Sequence, residues 1–153
     1  MTIKALSIKT GLPEKQRNTC FVVPVFEGCK LIEAAQRLDE AGEGFIRKAM
    51  KLTQFEGKLG KTLWLSAFPD RPDDQVVLVG CGAAESFDEK AYPAALRAAL
   101  QKLDMLHLAH ATIYLTDIPV KGRDIAWKMT QAALLAGDIG YEFKQFKSEK
   151  KKE

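Results

Sequence analysis

The sequence predicts an α/β sandwich built round a mixed, largely parallel sheet. Continuous apolar, β-branched runs recur along the chain, and strands buried on both faces read this way. Segments of helical periodicity alternate with them. The length of 153 residues suits one domain, and the 46% hydrophobic and 28% charged fractions are those of a globular protein with a real core.

Residues 2–10 alternate, with Ile3, Ala5 and Ile8 set against Lys4, Ser7 and Lys9, so an amphipathic strand opens the chain. Residues 19–26, TCFVVPVF, form a buried strand, with Pro24 marking a strand end or bulge because it cannot donate to a ladder. From Leu31 the period becomes helical. Gly42 and Gly44 divide it into helices over about 31–41 and 44–53. A turn at 56–61 leads to a strand at 62–68. A proline-rich turn at 69–74 leads to QVVLVG at 75–80, the most strand-like segment. Ser86 and Glu89 have capping-box spacing before a helix striped by Leu96, Leu100 and Leu103. Pro93 either starts that helix or kinks its first turn. A strand at 111–118 and a helix at 122–140 follow. That helix has one stripe of Ile125, Met129, Ala132 and Ala136 and a second apolar side of Trp127, Leu134 and Leu135. Two apolar sides exceed what one sheet face covers. Trp127 is expected in the core, and Leu134 or Leu135 at an interface with a partner.

The formal charge of +3 owes much to the last seven residues, which hold four lysines and two glutamates. A mildly basic balance of this kind permits nucleic-acid contact without requiring it. Lys4, Lys9, Lys15, Arg17, Lys121, Arg123 and Lys128 could form a phosphate-contacting surface or an ordinary solvated one. No apolar run reaches the ~20 residues that span a bilayer. The N-terminal stretch lacks the apolar core of a signal peptide, so no membrane partner is expected. Cys20, Cys29 and Cys81 are an odd set without C-x-x-C spacing, so structural cysteines in a reducing, cytoplasmic setting are expected.

Catalytic patterns are scarce. His107 and His110 have no H-E-x-x-H motif or acidic cluster beside them and read as helix-end histidines. Ser66 lacks the glycines of a nucleophile elbow. Asp73 and Asp74 are neighbouring turn residues. The stretch VLVGCGAAES at 77–86 is the most suggestive: a strand, a Gly80-x-Gly82 turn, then a helix start. Backbone N–H groups at such a turn can cradle phosphate, so Gly80 and Gly82 are a candidate phosphate-binding turn. Equally, the glycines can serve only a tight turn. The third glycine of the dinucleotide fingerprint is replaced by Glu85, and no Gly-Lys-Ser/Thr follows.

Several ordered motifs resemble those of one family. They are GLPEKQRNTCFVVPVFE at 11–27, GFIRKAMKLTQFEGKLGKTLWL at 44–65, VVLVGCG at 76–82, FDEKAY at 87–92, VKGRDIAWKMTQAALLA at 120–136 and YEFKQFKSEKKK at 141–152. Together they look like the N-terminal domain of leucyl aminopeptidases, the cytosol aminopeptidase family. The resemblance implies a macro-domain-like three-layer sandwich with helices on both faces. It implies an accessory domain over 1–147 and the start of a charged interdomain linker over 148–153. It further implies a C-terminal catalytic domain holding two divalent ions, zinc or manganese, in a hexamer that removes N-terminal residues from peptides. Some members also bind DNA, so a DNA-binding module, alone or as a second role of the same domain, is one alternative. A stand-alone nucleotide or ADP-ribose binder is the other alternative. The family's metal-binding NTDAEGR stretch has no counterpart here, so no catalytic or metal-ligating residue is assigned and this chain by itself is expected to be inactive. Lys144 departs from the aspartate often found there.

Overall fold

The computed structural model describes residues 4–8, 20–66, 75–107, 111–115, 118–139 and 141–145. Among these residues seven strands form one mixed sheet: β1 (Lys4–Ile8), β2 (Cys20–Phe26), β3 (Lys30–Leu31), β4 (Thr62–Leu65), β5 (Gln75–Gly80), β6 (Ala111–Ile113) and β7 (Tyr141–Gln145). The α-helices among the described residues are α1 (Glu33–Ala41), α2 (Phe45–Thr53), α3 (Ala91–Met105) and α4 (Ile125–Ile139). The strand order is β4-β5-β2-β6-β1-β7, with β3 folded back on β2. The pairs β2/β5, β2/β6, β1/β6 and β1/β7 are parallel, while β4/β5 and β2/β3 are antiparallel.

The pleat sorts β2 and β5 onto two cores. Phe21, Val23, Val25, Val76 and Leu78 meet Ala35 and Leu38 of α1 and Ile46 and Met50 of α2. Cys20, Val22, Val77 and Val79 meet Leu96, Leu100 and Leu103 of α3 and Ala132, Leu135 and Ala136 of α4. This is the three-layer α/β sandwich expected, with helices on both faces.

Local details depart from the sequence expectations for identifiable reasons. β2 runs through Pro24 to Phe26 without ending. The Tyr114 amide donates to the Val22 carbonyl at 2.9 Å, so the even-numbered residues of β2 face β6. β6 itself ends at Ile113, so the donor that Pro24 lacks would have had no strand to meet. α3 is capped by Asp88 rather than by a Ser86–Glu89 box. Its Oδ1 accepts from the Ala91 and Lys90 amides at 2.9 and 3.1 Å, while Ser86 closes a short 3-10 turn. Those same amides, Ala91 first, hold the Asp88 carboxyl below its ordinary range. Pro93 lies in the first turn of α3, the stretch of a helix that tolerates proline best. β3 and β7 were not expected as strands. β7 lies parallel to β1 in the register Leu6↔Phe143 and Ser7↔Lys144.

Two helices break where the glycines predicted, and Asp39 explains how the chain restarts. It is 2% exposed on α1, and its Oδ1 accepts from the Ile46 and Arg47 amides at 2.9 and 3.0 Å. Its Oδ2 takes the Arg47 guanidinium at 2.6 Å. A carboxylate from one helix thus caps the first turn of the next, satisfying amides that would otherwise be orphaned.

Candidate functional site

The Gly80–Gly82 turn sits where β5 leaves the sheet, beneath the 54–61 loop. The three amides that could have held an anion are spent inside the chain. Gly80 N–H donates to Lys61 O at 2.7 Å, Cys81 N–H to Val25 O at 2.9 Å and Gly82 N–H to Gly57 O at 2.9 Å. The Gly82 carbonyl accepts from the Glu27 amide at 2.9 Å, and the Gly80 carbonyl from the Gly60 amide at 3.1 Å. A Cβ at Gly80 would lie 2.0 Å from the Lys58 carbonyl oxygen, and one at Gly57 would lie 2.5 Å from the Phe26 oxygen. The glycines therefore let one backbone cross another at contact distance. That geometry favours the tight-turn alternative, since amides 80–82 have no bond to give a phosphate.

The cysteines offer no nucleophile at the turn. Burial pushes the thiols of Cys20 and Cys81 up to about 12. Cys29 is exposed, with a left-handed φ of 61° in the β2–β3 turn, and its Sγ donates to the Phe55 carbonyl at 3.3 Å.

Sequence reasoning missed a run of contacting rings, edge-on or tilted, between the end of β2 and the start of α4. Phe26 meets Phe87 edge-on at 5.7 Å, Phe87 meets Tyr92 at 6.1 Å, and Tyr92 meets Trp127 at 5.4 Å. Arg123 caps the run, 5.2 Å over the Trp127 ring, while its Nε donates to Glu89 Oε1 at 2.8 Å. Burial raises the Tyr92 hydroxyl, which donates to the Lys128 carbonyl at 3.5 Å. Nothing in the run is a poised acid, base or nucleophile; it fastens α3 to α4. The rings lie at unrelated spacings in the sequence, so no periodicity announces them.

α4 divides its apolar residues differently from the expectation. Ala132, Leu135 and Ala136 are buried, and Leu135, at 7% exposure, belongs to the core and is not free for an interface. Leu134 points outward at 62% exposure. Trp127 is only half-buried and Ile125 lies outside the core stripe. Ala126, Thr130, Ala133, Leu134 and Gly137 lie on the outer side of this helix, with exposed Asp138 one turn beyond Leu134 and 3.9 Å from Arg97. Lys128 is buried at 7% and leaves the expected basic surface. Arg123 is held by Glu89 and Trp127, while Lys121 is exposed. Lys9, Lys15 and Arg17 lie outside the described residues, and Lys4 is the first residue of β1.

Among the described residues no three His, Cys, Asp or Glu side chains are grouped to hold a metal ion. The described residues therefore do not assemble a metal centre. His107 is an exposed residue just past the end of α3, with φ 58°; His110, Asp73 and Asp74 lie outside the described residues. No helix among the described residues is long and apolar enough to cross a membrane.

The family model of the cytosol aminopeptidase N-terminal domain matches residues 22–150. The chain belongs to the cytosol aminopeptidase family. A relative named "Probable cytosol aminopeptidase" from Dechloromonas aromatica is 44% identical over 144 residues, and one of that name from Thioalkalivibrio sulfidiphilus is 42% identical over 144. Each alignment takes in 94% of this chain but 29% of the relative, so the chain spans under a third of the length of these family members. Among solved structures, the fold is similar to the macrodomain of Mycobacterium tuberculosis DarG. That match has a TM-score of 0.69 at 11% identity and covers 92% of this chain and 95% of that one. The macrodomain of Thermus aquaticus DarG gives 0.68 at 11% identity, covering 93% and 97%. At such identity the likeness concerns the fold alone.

Proposed function

We propose that this chain is the non-catalytic N-terminal domain of a two-metal aminopeptidase that acts in the cytoplasm on the N-termini of peptides. The observation that carries the reading is the lopsided coverage, 94% of this chain against 29% of relatives named as aminopeptidases. In this reading the two divalent ions, zinc or manganese, and the groups that bind them lie in the portion of the family's length beyond this chain. There they activate water and polarise the scissile carbonyl. The domain contributes assembly and access. Its contact surface in the hexamer is the outer side of α4 around Leu134, an exposed leucine with Asp138 one turn on and 3.9 Å from Arg97.

The test is hydrolysis of a leucine anilide by the 153-residue chain and by the parent protein, each with manganese or zinc. The parent turns over and the chain does not. Turnover scaling with the concentration of the purified chain would refute the reading. For the surface, Leu134→Glu in the parent shifts the sedimentation profile to smaller species, and an unchanged hexamer would remove α4 from the interface.

A further inference from the structure

The outer edge of β4 and the cleft at its start have no role in the reading above. The Gly80-to-Lys61 bond and the register Thr62↔Val79 set which way the strand's polar groups point. Leu63 and Leu65 exchange bonds with β5, so the N–H and C=O groups of Thr62 and Trp64 turn away from the sheet. No strand among the described residues pairs that edge. A cleft of about 440 Å3 opens between the end of α2 and the start of β4, with Phe55 and Leu63 in its lining and two lysines, Lys58 and Lys61, against one carboxylate, Glu56, among its charged residues. Large apolar side chains nearby remain in water, Leu52 at 85% and Trp64 at 41% exposure.

Open strand edges are commonly guarded by lysines on the strand itself. Here Thr-Leu-Trp-Leu carries no charge, and the cations flank the strand. Among the described residues Lys51 and Lys61 make no ion pair, and Lys58 reaches Glu56 only at 3.7 Å. A second copy brought edge to edge would set these lysines against their own kind. An acidic strand would be drawn to them.

We infer that this edge receives an extended, acidic peptide segment, added to the sheet as a further strand beside β4. Its main chain bonds to Thr62 and Trp64, which supplies affinity without regard to sequence. Alternate side chains supply selectivity: an apolar one enters the cleft against Phe55 and Leu63, and carboxylates lie beside Lys58 and Lys61.

The probe is a fluorescein-labelled ten-residue peptide alternating glutamate with valine or leucine, titrated with the 153-residue chain at physiological salt and read by anisotropy. Saturable binding is expected, with none by the counterpart carrying lysine for glutamate. The double variant Lys58→Glu, Lys61→Glu changes only exposed groups and weakens binding at least about tenfold, the equivalent of 1.4 kcal/mol. Thr62→Pro removes one outward N–H while leaving the bonds to β5, and weakens binding by about fivefold or more, one hydrogen bond's worth; if that variant fails to fold, the charge variant decides. Equal binding of the lysine peptide, unchanged binding by the charge variant, or duplex DNA outcompeting the acidic peptide on the same residues would each overturn the inference.

Discussion

Replacing Gly80 with alanine tests what the glycine-rich turn is for. The added methyl would stand 2.0 Å from the Lys58 carbonyl oxygen and 2.8 Å from the carbonyl carbons of Gly57 and Lys58. Those are backbone atoms and cannot rotate aside, so the 54–61 loop must retreat by about 1 Å or more to reach ordinary contact. The loop is tied to the turn by Gly80–Lys61 at 2.7 Å, Gly60–Gly80 at 3.1 Å and Gly82–Gly57 at 2.9 Å. A retreat of that size stretches these bonds beyond useful length. Each lost bond costs about 1 kcal/mol, and residual overpacking about 1–3 kcal/mol, so a loss of roughly 2–4 kcal/mol is expected after partial relaxation. For a domain of this size that lowers the melting temperature by roughly 6–12 °C. Thermal and urea melts followed by far-ultraviolet circular dichroism measure it. A melt within about 2 °C of the parent chain would refute the crossing argument. If the variant also lost a measurable affinity for phosphate, the turn would be an anion site after all.

Neighbouring leucines on α4 should part company. Leu135→Glu places a carboxylate in the core and costs about 3 kcal/mol or more, whereas Leu134→Glu stays within about 0.5 kcal/mol in a urea melt of this chain. Asp39→Ala uncaps α2 and strands the Arg47 guanidinium, costing about 2 kcal/mol by the same melt; a loss under about 0.5 kcal/mol would mean that water replaces the cap. In native buffer at pH 8 a thiol reagent should label Cys29 alone, with Cys20 and Cys81 reacting only after denaturation, as mass spectrometry can count. The two buried thiols also set a pH trend. Their folded values, about 12, lie above the ordinary 9.0, so below pH 9 both states keep the proton and burial contributes fully. Above it the unfolded chain ionises first, and stability falls progressively as pH rises toward 12; flat stability from pH 8.5 to 10.5 would contradict the burial.

Much of this protein was legible from local pattern. Hydrophobic periodicity is a property of neighbouring residues, so QVVLVG, CFVVPVF and the Leu96–Leu100–Leu103 stripe announced their elements and the α/β class. The ordered motifs pointed to the family. Other features depend on which segments come together. The alternation of Tyr141–Gln145 is strand-like, yet it becomes β7 only because β1, from the far end of the chain, offers an edge to pair with. Leu134 and Leu135 are equally apolar, but about 100° apart on a helix, so only the position of the sheet decides which is core. Asp39 looks like a surface residue of α1 until α2 folds back over it. In sequence, Gly80 and Gly82 read first as a tight turn and second as a phosphate cradle. Carbonyls of the 54–61 loop take two of the turn's three amide bonds while β2 takes the third, contacts that residue spacing cannot encode.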